Sequence, residues 1–331
     1  MTRLKFLYPG WFAIVMGLAG LSLAWHRAVP AMGPAAEATS AVLGLLAAAT
    51  FGLLAIASAL RIWQHADAWR EDLRHPVRHA FVATLPISLI LIATVAVAHG
   101  ERGAAVLVAW RLGASTQFGL TAWVVARWWR GNVAGGLVWP GVTPALFIPI
   151  VGNVLVPLAG LPLGATAWSA AQLGAGLLFW PVVTVLVVVR LAVHGSWPER
   201  LLPATFITVA PPAVIGSGFL QQGAPPAVAW AMWGVAVFFL AWSALLVRRM
   251  LAQPFSVPFW ALSFPLAAFA ALTLRLAESL GSGLFNTLAV LALAFASLVI
   301  AALLLATFKG LRDGTLLVPE PVASIVPAQG P

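Results

Sequence analysis

Ten apolar stretches run along the chain, beginning near Pro9, Thr39, Pro76, Gly103, Pro144, Ala165, Leu201, Ala227, Phe255 and Leu284. Each is long enough for the ~20 apolar residues that cross ~30 Å of hydrocarbon. Proline divides them into two sets. Odd-numbered stretches carry breakers in their interiors: Pro86 in the third, Pro149 and Pro157 in the fifth, Pro211 and Pro212 in the seventh, Pro265 in the ninth. The first has Gly17 and Gly20 instead, and among the even stretches only the sixth has an interior proline, Pro181. A proline inside a helix removes a donor, kinks the rod and frees a carbonyl. Within a bilayer that carbonyl is tolerated only where it faces protein or a water-filled cavity. Prolines are common in membrane helices generally, so it is their alternation that carries the reading. The pattern predicts an all-α integral membrane protein of ten helices, the odd ones forming an inner ring around a conduit and the even ones facing lipid.

Composition strengthens this picture: 62% hydrophobic, 8% charged and a mean hydropathy of +0.98 lie far outside the soluble range. Residues 1–312 read as one ten-span channel domain, and residues 313–331, with four prolines and no apolar period, as a flexible cytoplasmic tail. The net charge of +9 does not mark a nucleic-acid binder, because the basic residues are dispersed among span ends and not gathered into a patch. With the N-terminus inside, 14 of the 18 Lys and Arg residues fall in cytoplasmic segments, Arg27 and Arg102 fall in outside loops, and Arg111 and Arg275 lie within spans. The positive-inside rule then places both termini in the cytoplasm. The start, with Arg3 and Lys5 before an apolar run and Ala28-Val29-Pro30-Ala31 after it, mimics a secretory signal peptide, but Trp11, Gly17, Gly20 and Trp25 suit a packed helix better.

The chemical inventory is sparse. The chain has no cysteine, which excludes disulfides and thiol chemistry. All but one of its nine acidic residues are in loops or tails, and Glu278 is at the outer end of span nine. Ion-coupled pumps and cation pathways usually place a carboxylate within the bilayer. The six histidines sit near span ends, and His75 with His79 reads as an interfacial helix start in preference to half a zinc site. No serine–histidine–acid set, Gly-x-Ser-x-Gly or phosphate-binding glycine loop is present. The residues therefore point away from an enzyme and call for no metal or cofactor. Arg275, with Glu278 three residues on, is either a snorkelling residue with a structural partner or an anion-attracting charge in an outer vestibule. Arg111, about 12 Å deep by helical rise, lies on an even span and reads as snorkelling or a subunit contact.

Span nine and its approach, Gln253-Pro254-Phe255-Ser256-Val257-Pro258-Phe259-Trp260-Ala261-Leu262-Ser263-Phe264-Pro265, closely resemble the pore-gate segment of the TehA-like tellurite-resistance/dicarboxylate transporter family, which includes the slow anion channels of plant guard cells. Pro9-Gly10-Trp11 to Gly17, Arg74-His75-Pro76, Pro149-Ile150-Val151-Gly152-Asn153 and Ala210-Pro211-Pro212-Ala213 agree with it in order. The resemblance implies ten helices as five hairpins in quasi-fivefold arrangement, odd helices lining a central pore in each protomer, and a homotrimer in the bacterial inner membrane. By motif the family's gating phenylalanine carries over to Phe264, with Pro265 beside it where tellurite-resistance members have glycine. Arg275 stands where those members have histidine, which brings the chain nearer to the slow-anion-channel subgroup.

The expectation is a gated anion channel for chloride and nitrate, occluded by Phe264, whose partners are small anions and membrane lipid. The alternative is a secondary transporter of dicarboxylate, sulfite or tellurite-type oxyanions. Pore-lining positions and helix breaks are expected at Gly17, Gly20, Pro86, Pro149, Asn153, Pro157, Pro211 and Pro212. Asn153 serves equally as a polar contact for an anion or as a helix-to-helix hydrogen bond.

Overall fold

The computed structural model describes residues 3–131 and 136–319, which contain helices and no strand. The long helices are α1 (Pro9–Arg27), α2 (Pro34–Gln64), α3 (Arg78–Ala98), α4 (Ala104–Trp128), α5 (Pro144–Gly160), α6 (Thr166–His194), α7 (Glu199–Gln221), α8 (Pro226–Ala244), α9 (Val257–Leu280) and α10 (Gly283–Arg312). Among the described residues eight of these are long and apolar enough to cross a membrane; α5 is shorter, and α4, which holds Arg111, Gln117 and Arg127, is not among the eight.

Proline governs how the odd helices start. Each opens with a 3₁₀ segment, Pro9–Phe12, Arg78–Ala83, Pro144–Leu146, Glu199–Val209 or Val257–Leu262, and turns into an α-helix only at Ala13, Thr84, Phe147, Ala210 or Ser263. Pro86, Pro149 and Pro265 are each the third residue of the α segment, and Pro211 and Pro212 its second and third. First-turn amides have no acceptor within an α-helix, so a proline there forfeits no hydrogen bond. An α turn directly upstream would instead drive its carbonyl against the ring. The expected mid-helix breaks are thus junctions between two helix types, and only Pro157 among those named for the odd helices sits inside an α segment. Protein hydroxyls serve carbonyls near these junctions: Thr84 Oγ1 to Phe81 O at 2.6 Å, Thr205 Oγ1 to Leu202 O, Thr208 Oγ1 to Thr205 O and Ser263 Oγ to Trp260 O, each at 2.7 Å. Gly17 and Gly20 break nothing, since α1 is a continuous α-helix from Ala13 to Arg27.

Burial separates the two sets. In the most apolar 18-residue stretch of α1, α3, α7 and α9, 72–89% of residues are buried, against 17–28% for α2, α6, α8 and α10. Each odd helix packs on the even helix that follows it, and the odd helices touch in order, α1 with α3, α3 with α5, α5 with α7, α7 with α9, and α9 back to α1. Small residues set these distances. A Cβ on Gly17 would stand 2.4 Å from Ser263 Oγ, and one on Gly113 of α4 would stand 2.9 Å from Ile90 Cγ1 of α3. Without a hydrophobic driving force between helices in lipid, such close approach and interhelical hydrogen bonds supply the cohesion. Trp110 Nε1 to Val156 O at 3.0 Å and Trp260 Nε1 to Thr307 Oγ1 at 2.9 Å are two of these bonds.

The end at which the odd helices begin is held by ion pairs. Asp72, on the short helix Ala66–Arg74 between α2 and α3, is fully buried, ion-paired with Arg61 Nη2 at 2.7 Å and accepting from Arg78 Nη1 at 2.8 Å. Arg61 also donates from Nε to Lys5 O at 2.9 Å, which ties the first residues to α2. At the other terminus the tail is described only to residue 319. Its first residues fold back on α10, where the amides of Thr315 and Leu316 donate to Gly310 O and Leu316 is buried; the rest of the tail lies outside the described residues.

Candidate functional site

Along each odd helix one face, recurring every three or four residues, borders open space. On α1 it is Gly10, Ala13, Met16, Gly20 and Leu23; on α3, Phe81, Thr84, Ile87, Leu91 and Thr94; on α9, Ala261, Phe264, Ala268, Ala271 and Arg275. The faces of α5 (Ile148, Val151, Leu155, Leu158) and α7 (Ile207, Ala210, Val214, Ser217, Gln221) complete the wall. That spacing is the period of a helix face. The space forms two chambers in line, a wide one of about 200 Å³ toward the C-terminal ends of the odd helices and a narrow one of about 40 Å³ toward their N-terminal ends.

Among the described residues Phe264 is the one that lines both chambers, and it is 5% exposed. The ring rests on Gly20: a Cβ there would lie 2.9 Å from Phe264 Cδ2. Pro265, beside it, lines the narrow chamber. Gly20 therefore serves the wall by leaving room for a ring, and Gly17 packs on α9 away from both chambers.

The remaining candidates lie off the wall. Pro86, Pro149, Pro157, Pro211 and Pro212 are buried and border neither chamber. Asn153 is fully buried, with Nδ2 donating to Thr121 Oγ1 of α4 at 2.7 Å and to Pro149 O at 2.9 Å. Gln117 Nε2 and Thr121 Oγ1 donate to the same Pro149 carbonyl at 2.6 and 2.7 Å. Of its two sequence readings the structure thus places Asn153 in the helix-to-helix one. Arg111 is exposed on the outer face of α4.

The two chambers differ in chemistry. The wide one is bordered by Arg27, Arg102 and Arg275, with Gln221, Ser217 and Thr94, and by no Asp or Glu among the described residues. Arg275 Nη1 donates to Ser217 O at 2.8 Å, which fixes the guanidinium against α7. Glu278 acts electrostatically on Arg27 and Arg275, yet none of the three arginines is in a salt bridge among the described residues. Among the described residues the narrow chamber is bordered by aliphatic and aromatic side chains, with the hydroxyls of Tyr8 and Thr84.

His75 and His79 form a helix start. Nδ1 of His75 accepts from the amides of Val77 and Arg78, both at 3.1 Å, and His79 Nδ1 meets His75 O at 2.9 Å. Burial, with Arg78 nearby, pushes the His75 imidazole down to about 4, so Nδ1 stays unprotonated as the acceptor role demands. Sequence reasoning missed Arg27 and Arg102 as chamber residues, because it read them as loop charges. It also passed over Tyr8 and Phe81; the three-residue step from Phe81 to Thr84 to Ile87 was the available signal.

The chain matches the family described as voltage-dependent anion channel over residues 7–308. It is 27% identical to the tellurite resistance protein TehA homolog of Haemophilus influenzae, over 93% of this chain and 92% of that one. It is 24% identical to the S-type anion channel SLAH2 of Arabidopsis thaliana, over 80% of this chain and 51% of the plant protein. A sulfite efflux pump, SSU1 of Trichophyton rubrum, is 23% identical over 85% of this chain and 84% of its own.

Proposed function

Because this chain belongs to the voltage-dependent anion channel family, we propose that it is a gated channel passing small inorganic anions such as chloride and nitrate, shut at rest by the ring of Phe264. The observation that carries this reading is that Phe264 alone among the described residues borders both chambers, which the same five helices line. In this reading ten spans form five hairpins in quasi-fivefold arrangement and the odd helices surround one pore per protomer. The protein is a homotrimer of the bacterial inner membrane with both termini cytoplasmic. The family consists of channels and transporters, which agrees with a chain that does no chemistry on what it passes.

The mechanism follows from solvation. A ring across a narrow apolar passage excludes water, and an ion there loses far more solvation energy than the wall returns, so the closed pore is tight. Movement of the Phe264 ring off Gly20 joins the chambers. The break between helix types at Ser263–Pro265 gives α9 a local point for that movement. Anion preference arises in the wide chamber, which faces the periplasm, where Arg27, Arg102 and Arg275 raise the local anion concentration.

A second reading, a secondary carrier of sulfite- or tellurite-type oxyanions or of dicarboxylates, is favoured by the names of the TehA and SSU1 relatives. The two part on one measurement. In planar bilayers or oocytes under chloride and nitrate gradients, the channel reading expects a large anion-selective current from Phe264→Ala and little from wild type. A folded, inserted Phe264→Ala that carries no current, together with saturable uptake by wild type, selects the carrier.

A further inference from the structure

We propose that Tyr8 and Phe81 form a second closure in series with Phe264, at the end of the narrow chamber where the odd helices begin. The inference rests on the channel reading above and adds residues that control passage.

Both rings border the narrow chamber, and they meet edge to face with centroids 5.9 Å apart and planes at 89°. That is the favoured geometry for an aromatic pair. They stand at the level of Val257 and Pro258, the first residues of α9, two helical turns before Phe264. The pair is held in place from two sides. Tyr8 is 7% exposed and its ring lies over Gly10, where a Cβ would be 2.2 Å from Cε2, so this ring position requires glycine at residue 10. Thr84 Oγ1 lies 2.7 Å from Pro9 O and 2.6 Å from Phe81 O, within donating distance of the carbonyls that adjoin both ring-bearing segments. In the 3₁₀ opening of α3, residues three apart eclipse, which stacks Phe81 and Thr84 on the face toward the chamber.

The compartment between the two closures measures about 40 Å³, a fifth of the wide chamber. Among the described residues its wall carries no charge. An anion that passed Phe264 would therefore meet a shut apolar compartment, so displacement of the Phe264 ring joins the wide chamber to a space still closed at its cytoplasmic end. Both closures have to yield for conduction.

Two measurements test this. In the first, the anion current of Phe264→Ala is compared with those of Phe264→Ala/Tyr8→Ala and Phe264→Ala/Phe81→Ala. The double variants should conduct several-fold more, Tyr8→Phe should leave the Phe264→Ala current unchanged, and Tyr8→Ala alone should stay shut. The second needs no current and exploits a chain free of native cysteine. Ala13→Cys, on the wall of the narrow chamber, is labelled from the cytoplasmic side with an anionic methanethiosulfonate. Labelling should be slow, and several-fold faster once Tyr8 or Phe81 is trimmed to alanine. If Phe264→Ala conducts and trimming either ring changes neither current nor labelling, the second closure is overturned and the channel reading stands. If no variant conducts yet trimming speeds labelling, the channel reading fails and the closure at Tyr8 and Phe81 stands.

Discussion

Arginine is put to opposite uses at the two ends of this molecule. Where the odd helices begin, Arg61 and Arg78 are locked on Asp72, with side-chain exposures of 3% and 27%, and serve to hold chain segments together. Where the odd helices finish, Arg27, Arg102 and Arg275 face a chamber and form no salt bridge among the described residues. A guanidinium saturated by carboxylates contributes rigidity and little outward field, whereas one facing solvent leaves its charge available to a passing anion. The same contrast runs through the two chambers: one is wide and bordered by arginines, the other narrow and bordered by aliphatic and aromatic side chains. In the channel reading proposed above, one end selects and the other end shuts.

The sharpest way to break this contrast is at its boundary. Phe264→Ala should raise anion current by at least an order of magnitude in bilayer recordings, and Gly20→Ala, whose methyl displaces the ring, should give a smaller leak. Equal currents from wild type and both variants would remove the boundary altogether. Next in size is Asp72→Ala, which strands a buried Arg61. Such a loss costs about 3–5 kcal/mol, so the unfolding midpoint in detergent should drop by many degrees and expression should fall.

Arg275→Gln is the counterpart at the other end. It should leave that midpoint nearly in place and cut the Phe264→Ala current several-fold, with weaker preference for anions over cations in reversal-potential measurements. If Arg275→Gln destabilised the protein as Asp72→Ala does, the division between holding and selecting would fail.

Protonation sharpens the first end further. His75 titrates near 4 when folded and near 6.5 when unfolded. Between those values the unfolded chain binds more protons, so stability falls as pH drops from 6.5 toward 4. Midpoints of wild type and His75→Asn at pH 7 and pH 5 test this: the loss between the two should be smaller in the variant. The smallest expected effect is at the exposed Arg249–Glu199 pair, 50% and 41% exposed. Glu199→Gln should change stability by no more than about 1 kcal/mol.

Much of this fold was legible along the chain because a bilayer simplifies the problem. Among the described residues eight helices announce themselves by length and hydropathy, and proline, forbidden in lipid-facing interiors without compensation, separates the helices that pack inside from those that do not. The functional face was less legible. Prolines marked the right helices but not the wall, since Pro86, Pro149, Pro211 and Pro212 sit at 3₁₀-to-α junctions, buried between neighbours. Asn153 read equally well as a pore contact or a helix contact, and the partner that decided it, Thr121, lies 32 residues away on another helix.

What the sequence determined by itself was local: the apolar lengths, the positions at which α-helix could not start earlier, and a family-like segment ending in Phe264-Pro265. These depend on the chemistry of neighbouring residues, which a linear pattern records. The tertiary structure alone decided that Phe264 lies over Gly20, 244 positions earlier in the chain, that Tyr8 meets Phe81, and that three arginines from two helices and a loop border one chamber. Such juxtapositions arise only when α1, α3, α5, α7 and α9 close on one another, because the distance between two side chains on different helices is set by packing and not by their separation along the chain.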